Sequence, residues 1–302
     1  MAKQRLDVLL VERGFCETRQ LAQRIIRAGE VQVNQQVIDK PGTAIAVEAE
    51  IKVKQKMPYV SRGGEKLAKA LQTFDMTTQD RVCLDGGIST GGFTDCLLQF
   101  GASLVYGVDV GYGQVAWKLR QDPRLILRER TNLRHLTPED LYDATTPRPD
   151  LGVMDVSFIS LIKVLPAFWH LLTPPREAVL LVKPQFEVGR AKVGKNGVVR
   201  SAQDQAEAIW QVVLAAREMG WRDRGLTYSS TVGPAGNIEY LLWLSMPETG
   251  NNNVTGPYTF ENTYALTQQA QSELSVNASV SRGTARADSL LRENRVGATE
   301  ES

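Results

Sequence analysis

Four polar residues finish strand-like runs in this chain, and a glycine-rich loop follows the first of them. The loop is Asp85-Gly86-Gly87-Ile88-Ser89-Thr90-Gly91-Gly92-Phe93-Thr94. It lies between the apolar run Val82-Cys83-Leu84 and a segment from Phe93 to Phe100 with apolar residues at helical spacing. A strand-to-helix junction with so little side chain lets a ligand approach the backbone, and open α/β sheets bind nucleotide-like molecules at such junctions. Spacing narrows the chemistry. No three glycines keep the G-x-G-x-x-G interval of a dinucleotide loop, and no lysine follows Gly92 as a phosphate-cradling loop requires. Gly87-Ile88-Ser89-Thr90-Gly91 does spell the G-x-S-x-G nucleophile elbow. Its partner is missing, because the only histidines, His135 and His170, are not among the last strand-like runs. What remains is a cradle for S-adenosylmethionine (SAM) built from Asp85, Gly86, Gly87, Ser89, Thr90, Gly91, Gly92, Phe93 and Thr94. Asp85 is expected near the methionine amine, with backbone N–H groups facing the ligand.

The other ends of runs add acids and a lysine. Asp109 finishes Leu104–Val108, one step beyond the loop, where a carboxylate can accept hydrogen bonds from ribose hydroxyls. Asn132, after the third run, either lines the same pocket or serves as a turn residue. Asp155 finishes Leu151–Met154 and completes the expected cofactor set. Lys183 finishes Ala178–Val182 just before Pro184, an unusual place for a lysine, since that side chain is seldom buried. Glu239 begins the final run after a glycine-rich turn, and Lys66 sits on the helix entering the domain. Two lysines and two acids at one crevice can tune one another's protonation. Lys183 is then either a general base or a purely electrostatic group, and both roles stay open.

Positioning these residues requires a sheet. Strand-like runs at 81–84, 104–108, 125–128, 151–154, 178–182, 226–232 and 238–244 alternate with helical segments, which predicts an α/β fold with a largely parallel sheet. Only Gly233 to Asn237 separates the last two runs, so they must pair antiparallel. Ahead of this domain, residues 1–53 read as a small α+β unit: helices near Asp7–Glu12 and Thr18–Ala28, then alternating Val31, Val33, Val37 and Ile45, Val47, Ile51. On the second helix Leu21, Ala22, Ile25 and Ile26 form the apolar face, with Arg19, Arg24 and Arg27 away from it. Residues 54–60 read as a basic linker carrying Lys54 and Lys56. Residues 61–246 form the α/β domain. Residues 247–302, rich in Asn, Ser, Thr and Gln, read as a disordered tail with at most a short helix near Thr263–Leu274.

Residues 4–53 resemble the small RNA-binding domain first seen in a ribosomal small-subunit protein, on Arg5-Leu6-Asp7, Thr18-Arg19, Ala22, Ile25, Gly29, Val31, Val33-Asn34 and Lys40-Pro41-Gly42. Over 4–245 the chain resembles the TlyA-type ribosomal RNA 2′-O-methyltransferases, a family often labelled haemolysin A. The shared marks are Tyr59 to Leu67, the glycine loop, Asp155-Val156-Ser157-Phe158-Ile159-Ser160, Lys183-Pro184-Gln185-Phe186-Glu187 and Gly236-Asn237-Ile238-Glu239. The resemblance implies a Rossmann-like, FtsJ-like fold with a seven-stranded, mostly parallel sheet and an antiparallel last strand. It also implies SAM as cofactor, a cytidine ribose of ribosomal RNA as substrate, and a Lys-Asp-Lys-Glu tetrad at Lys66, Asp155, Lys183 and Glu239. RNA contacts are expected from Arg5, Arg19, Arg24, Arg27, Lys54, Lys56 and Arg62, and from Arg190, Lys192 and Lys195 in the loop after Lys183.

Bulk properties constrain the alternatives. The 302 residues are 42% hydrophobic, enough for a large core, and a net charge of +1 makes any nucleic-acid surface a matter of local clustering. Cys16, Cys83 and Cys96 form no metal or disulfide pattern, which fits a reducing cytoplasm and predicts no metal site. A cytolysin would need a membrane-inserting segment, and no run of eighteen apolar residues occurs. The other competing class is an RNA-binding assembly factor with a catalytically weak methyltransferase-like domain.

Overall fold

The computed structural model describes residues 2–54, 57–246 and 256–275. The chain divides into two compact units after Met57, within the stretch read as a linker. Lys56 lies outside the described residues.

The first unit contains β1 (Lys3–Arg5), α1 (Leu6–Glu12), α2 (Arg19–Arg27), β2 (Val31–Val33), β3 (Gln36–Val37), β4 (Ala44–Ala46) and β5 (Ile51–Val53). β1 pairs with β4, and β3-β2-β5 form a second antiparallel sheet. Thr18 caps α2 by accepting the Leu21 N–H at 3.2 Å, which sets the helix start that its side chain favours. Ala22, Ile25 and Ile26 then face a core with Leu6, Leu9, Leu10 and Val31, and Arg24 and Arg27 stay exposed.

The second unit opens with α3 (Arg62–Thr73) and continues through β6 (Val82–Gly86), α4 (Gly92–Gln99), β7 (Leu104–Val108), α5 (Trp117–Arg120) and β8 (Leu125–Arg128). Next come α6 (Pro138–Leu141), β9 (Leu151–Met154), α7 (Leu165–Leu171), β10 (Arg176–Val182), α8 (Pro184–Glu187), α9 (Ala202–Glu218), β11 (Arg222–Tyr228) and β12 (Tyr240–Met246). A further helix, α10, spans 260–275. The sheet order is β11-β12-β10-β9-β6-β7-β8, with β12 antiparallel to both its neighbours and the other pairings parallel. Two apolar cores cover its faces. One holds Phe168, Val212 and Trp221; the other holds Leu67, Leu71, Phe93 and Leu97. Central strands buried on both faces explain runs as apolar as Ala178–Val182.

Two sequence expectations change here. β11 and β12 run 222–228 and 240–246 rather than 226–232 and 238–244, because Ser229 to Glu239 folds as one long turn. Its closing bonds join Ser229 N–H to Glu239 O at 2.8 Å and Gly233 N–H to Asn237 O at 2.8 Å. The expectation of a disordered tail also fails over 256–275. Ala270, Thr263 and Thr267 are fully buried, and Tyr258, Leu266 and Leu274 pack on the core containing Trp221. The short helix allowed near Thr263–Leu274 is present over 260–275, and its sparse apolar residues fall on one face.

Candidate active site

Strand direction places the chemistry. β6, β9 and β10 run parallel, so Asp85, Asp155 and Lys183 emerge at the same sheet edge; β12 runs the other way, so its beginning brings Glu239 to that edge. Pro184 at the first turn of α8 lacks the N–H that continued strand pairing would need, so β10 ends at Val182 and Lys183 leads into the helix. A cavity of about 560 Å³ opens there, within the range of small-molecule sites. Lys66, Asp155, Lys183 and Glu239 all line it, with Gly87, Ser89, Thr90, Gly92 and Phe93 from the glycine loop.

Lys66 arrives through a close helix contact. A Cβ on Gly92 would run into Ser61 Oγ and come within 2.9 Å of Gly64 N, so the α3 and α4 N-termini can approach only with glycine there. Gly87 adopts φ +86°, and a Cβ on it would lie 2.5 Å from the Asp155 carbonyl oxygen. The loop is therefore locked against the strand end that bears Asp155.

The four charged side chains form two ion pairs. Lys66 Nζ bonds Glu239 Oε2, both groups nearly buried. Lys183 Nζ lies 2.5 Å from Asp155 Oδ1, off-line for a hydrogen bond, and donates to Ser157 Oγ at 2.8 Å. Buried ions in pairs avoid the large desolvation penalty of isolated charges, and each pair holds its lysine at the cavity wall.

Asp85 sits beneath the loop and does not line the cavity. Its Oδ2 accepts from Thr94 Oγ1 at 2.6 Å, while its fully buried Oδ1 carries no hydrogen-bond partner. Burial pushes this carboxyl up to about 7, against the Thr94 hydrogen bond that favours the charged form. Gly86, Gly91 and Thr94 are likewise buried and do not line the cavity. Asp109 is occupied with the loop backbone: Oδ2 accepts Ser89 N–H at 2.8 Å and Oδ1 accepts Gly111 N–H at 2.6 Å. Asn132 is exposed, caps a 3₁₀ turn by accepting Arg134 N–H at 3.1 Å, and borders a separate hollow with Arg128 and His135. Its turn role is the one observed.

Sequence reasoning missed the aromatic mouth of the cavity. Phe158 is 91% exposed at φ +64°, a backbone region that a bulky residue occupies at a cost of order 1–3 kcal/mol, and its ring lies 5.1 Å from that of Phe186. Glu187 accepts from Ser160 Oγ at 2.6 Å and Leu161 N–H at 2.9 Å, tying the Phe158 loop to α8; burial raises its pKa. The only signal in the sequence was an aromatic residue three positions after the polar strand end Asp155.

The basic residues divide. Arg62 is exposed and lines the cavity. Arg190 and Lys195 are exposed on the loop after α8, and Lys54 is exposed at the end of the first unit. Lys192 is exposed too and is engaged by Asp204 at 2.9 Å and by Glu207, both on α9. In the first unit, fully buried Asp7 holds Arg5 at 3.0 Å, Arg19 at 2.9 Å and Gln23 at 2.9 Å, leaving both arginines half-exposed in fixed directions.

Residues 59–246 match the model of the FtsJ-like methyltransferase family, and residues 4–51 match the S4 domain. The chain belongs to the FtsJ-like methyltransferase family. Among relatives of this FtsJ-like chain is the "16S/23S rRNA (cytidine-2'-O)-methyltransferase TlyA" of Mycobacterium tuberculosis, 47% identical over 80% of this chain and 89% of that one. "Hemolysin A" of Brachyspira hyodysenteriae is 40% identical over 78% of this chain and 98% of its own. A solved structure, "Putative hemolysin from Streptococcus thermophilus", has a TM-score of 0.70 and 41% identity, covering 92% of this chain and 99% of its own. These likenesses place the FtsJ-like chain in the TlyA group expected from its motifs. Its cofactor is SAM, and the residues fit that donor: a glycine cradle at a strand end, with an unpartnered buried carboxylate oxygen beneath it. Among the described residues no helix is long and apolar enough to cross a membrane, and no cluster of three or more His, Cys, Asp or Glu is placed to hold a metal ion.

Proposed function

We propose that this protein transfers the SAM methyl group to the 2′-hydroxyl of a cytidine in ribosomal RNA, using Lys66, Asp155, Lys183 and Glu239. The observation that supports this most directly is the convergence of both ion pairs on the cavity that the glycine loop borders. The TlyA relative of M. tuberculosis carries that substrate in its name. When bound, the donor supplies a methyl group on a good sulfonium leaving group, so the protein's tasks are alignment and proton removal.

Lys183 takes the hydroxyl proton after giving up one of its own to solvent, and Asp155 at 2.5 Å stabilises the ammonium that results. Ser157 fixes the direction of Nζ. Glu239 holds Lys66 toward the ribose. Asp85 Oδ1 is the acceptor for the donor's amino group, and Phe158 offers an exposed ring on which the target base can stack. In this reading the S4 unit presents Arg5, Arg19, Arg24 and Arg27 to RNA phosphates, and the protein works on ribosomal RNA in the cytoplasm.

The test is 2′-O-methyl mapping of ribosomal RNA after incubation with purified protein and SAM. A new methyl mark on cytidine is expected, and Lys183→Ala should lose it while keeping SAM affinity. Tight RNA binding with no SAM affinity would favour the assembly-factor reading instead.

A further inference from the structure

Helix α10 lies beyond the residues matched by the FtsJ-like model, yet it is bonded to residues that back a wall of the cavity. That wall consists of the turn around Asn196-Gly197 and the turn before Glu239, on which Asn237 sits. Its support can be followed bond by bond. Gly197 O accepts from Asn237 Nδ2 at 2.8 Å, and Asn237 Oδ1 accepts the Val199 N–H at 3.0 Å. Val199 O accepts from Gln205 Nε2 at 2.7 Å, and Gln205 Oε1 accepts from Tyr240 Oη at 2.6 Å, next to Glu239. Gln271 of α10 closes the network: its Nε2 donates to Arg200 O at 2.8 Å and reaches Gln205 Oε1 at 3.3 Å.

We propose that Gln271 is a positioning residue for the RNA-facing wall of the active site. This rests on the methyl-transfer reading above. Residues 189–197 are largely exposed, so the wall has little apolar packing of its own and depends on its polar tethers. Small displacements of substrate-positioning groups translate into large losses of rate. Gln271 is also separable from the anchoring of α10 itself. That helix is held by buried Ala270, by Thr267 Oγ1 donating to Ala202 O at 2.9 Å, and by the preceding segment, where the Tyr258 hydroxyl accepts Leu226 N–H at 2.9 Å. Removing one amide should loosen the wall without releasing the helix.

The experiment compares full-length protein with Gln271→Ala and with Gln271→Glu, the latter similar in size but facing two oxygen acceptors without a donor. Hydrogen exchange at the Val199 amide is expected to quicken roughly fivefold, the net worth of one hydrogen bond. The KM for ribosomal RNA should rise severalfold in both variants, with SAM affinity and melting midpoint unchanged. Unchanged exchange at Val199 in both variants would overturn the proposal, as would faster exchange with KM and kcat for RNA untouched. If the unmodified protein transfers no methyl to ribosomal RNA, the methyl-transfer reading fails, and the exchange comparison still decides whether Gln271 braces the wall.

Discussion

The carboxyl of Asp85 is set apart by its place beneath the glycine loop, where Thr94 holds its Oδ2. Its type and place at a strand end pointed to a ligand contact, but no pattern of letters shows that the carboxyl is fully buried with one oxygen unpaired. Its pKa near 7 stands above the ordinary carboxylate value near 4. Between those pH values the folded state holds a proton that the unfolded state has lost, so raising pH from about 4 through about 7 lowers stability. Asp85→Asn should flatten that part of the pH–stability curve measured by thermal unfolding. The same sign argument applies to binding: an amine ligand favours the ionised carboxylate, so SAM affinity by calorimetry should increase as pH rises through about 7, and Asp85→Asn should remove the increase. Lys183 poses a different question, base or fixed charge. Lys183→Arg keeps the charge and cannot act as a base at neutral pH, so a general-base role predicts a kcat loss of roughly 10²–10⁴-fold in Arg and Ala variants alike. Near-normal kcat in the Arg variant would leave Lys183 as an electrostatic group.

Among elements, the contact between α3 and α4 is the one that delivers Lys66. Gly92→Ala should force the helix ends apart, with destabilisation of about 1–3 kcal/mol by denaturant unfolding and a lower kcat, because Lys66 moves with α3. Asp155 and Lys183 were legible because each followed an apolar run, Glu239 because it opened one, and Lys66 because a motif carried it. The aromatic mouth was less legible, since the positive φ of Phe158 comes from how the loop is tied by Glu187, a contact across 26 or more residues. Helix α10 was underestimated for a related reason: a few buried residues such as Ala270 suffice when polar anchors to β11 and α9 supply the rest.

For the whole molecule, a net charge of +1 means that RNA affinity must come from clustered residues. Arg24 and Arg27 on α2 are exposed. Replacing both with Gln should weaken ribosomal RNA binding across sequences and lower the slope of log K against log salt by about one for each lost phosphate contact. Methyl transfer at saturating RNA should stay close to normal, since neither residue lines the cavity. The sheet has a further consequence for how copies of this protein meet. Of its two outer strands, β11 has its Leu226 N–H taken up by the Tyr258 hydroxyl, so the segment before α10 shields that border from another strand. The remaining border is β8, only four residues long and ending at exposed Arg128. A short, positively charged strand is a poor template for sheet extension, so this large, strongly apolar sheet is guarded at both borders against growing into chains of molecules.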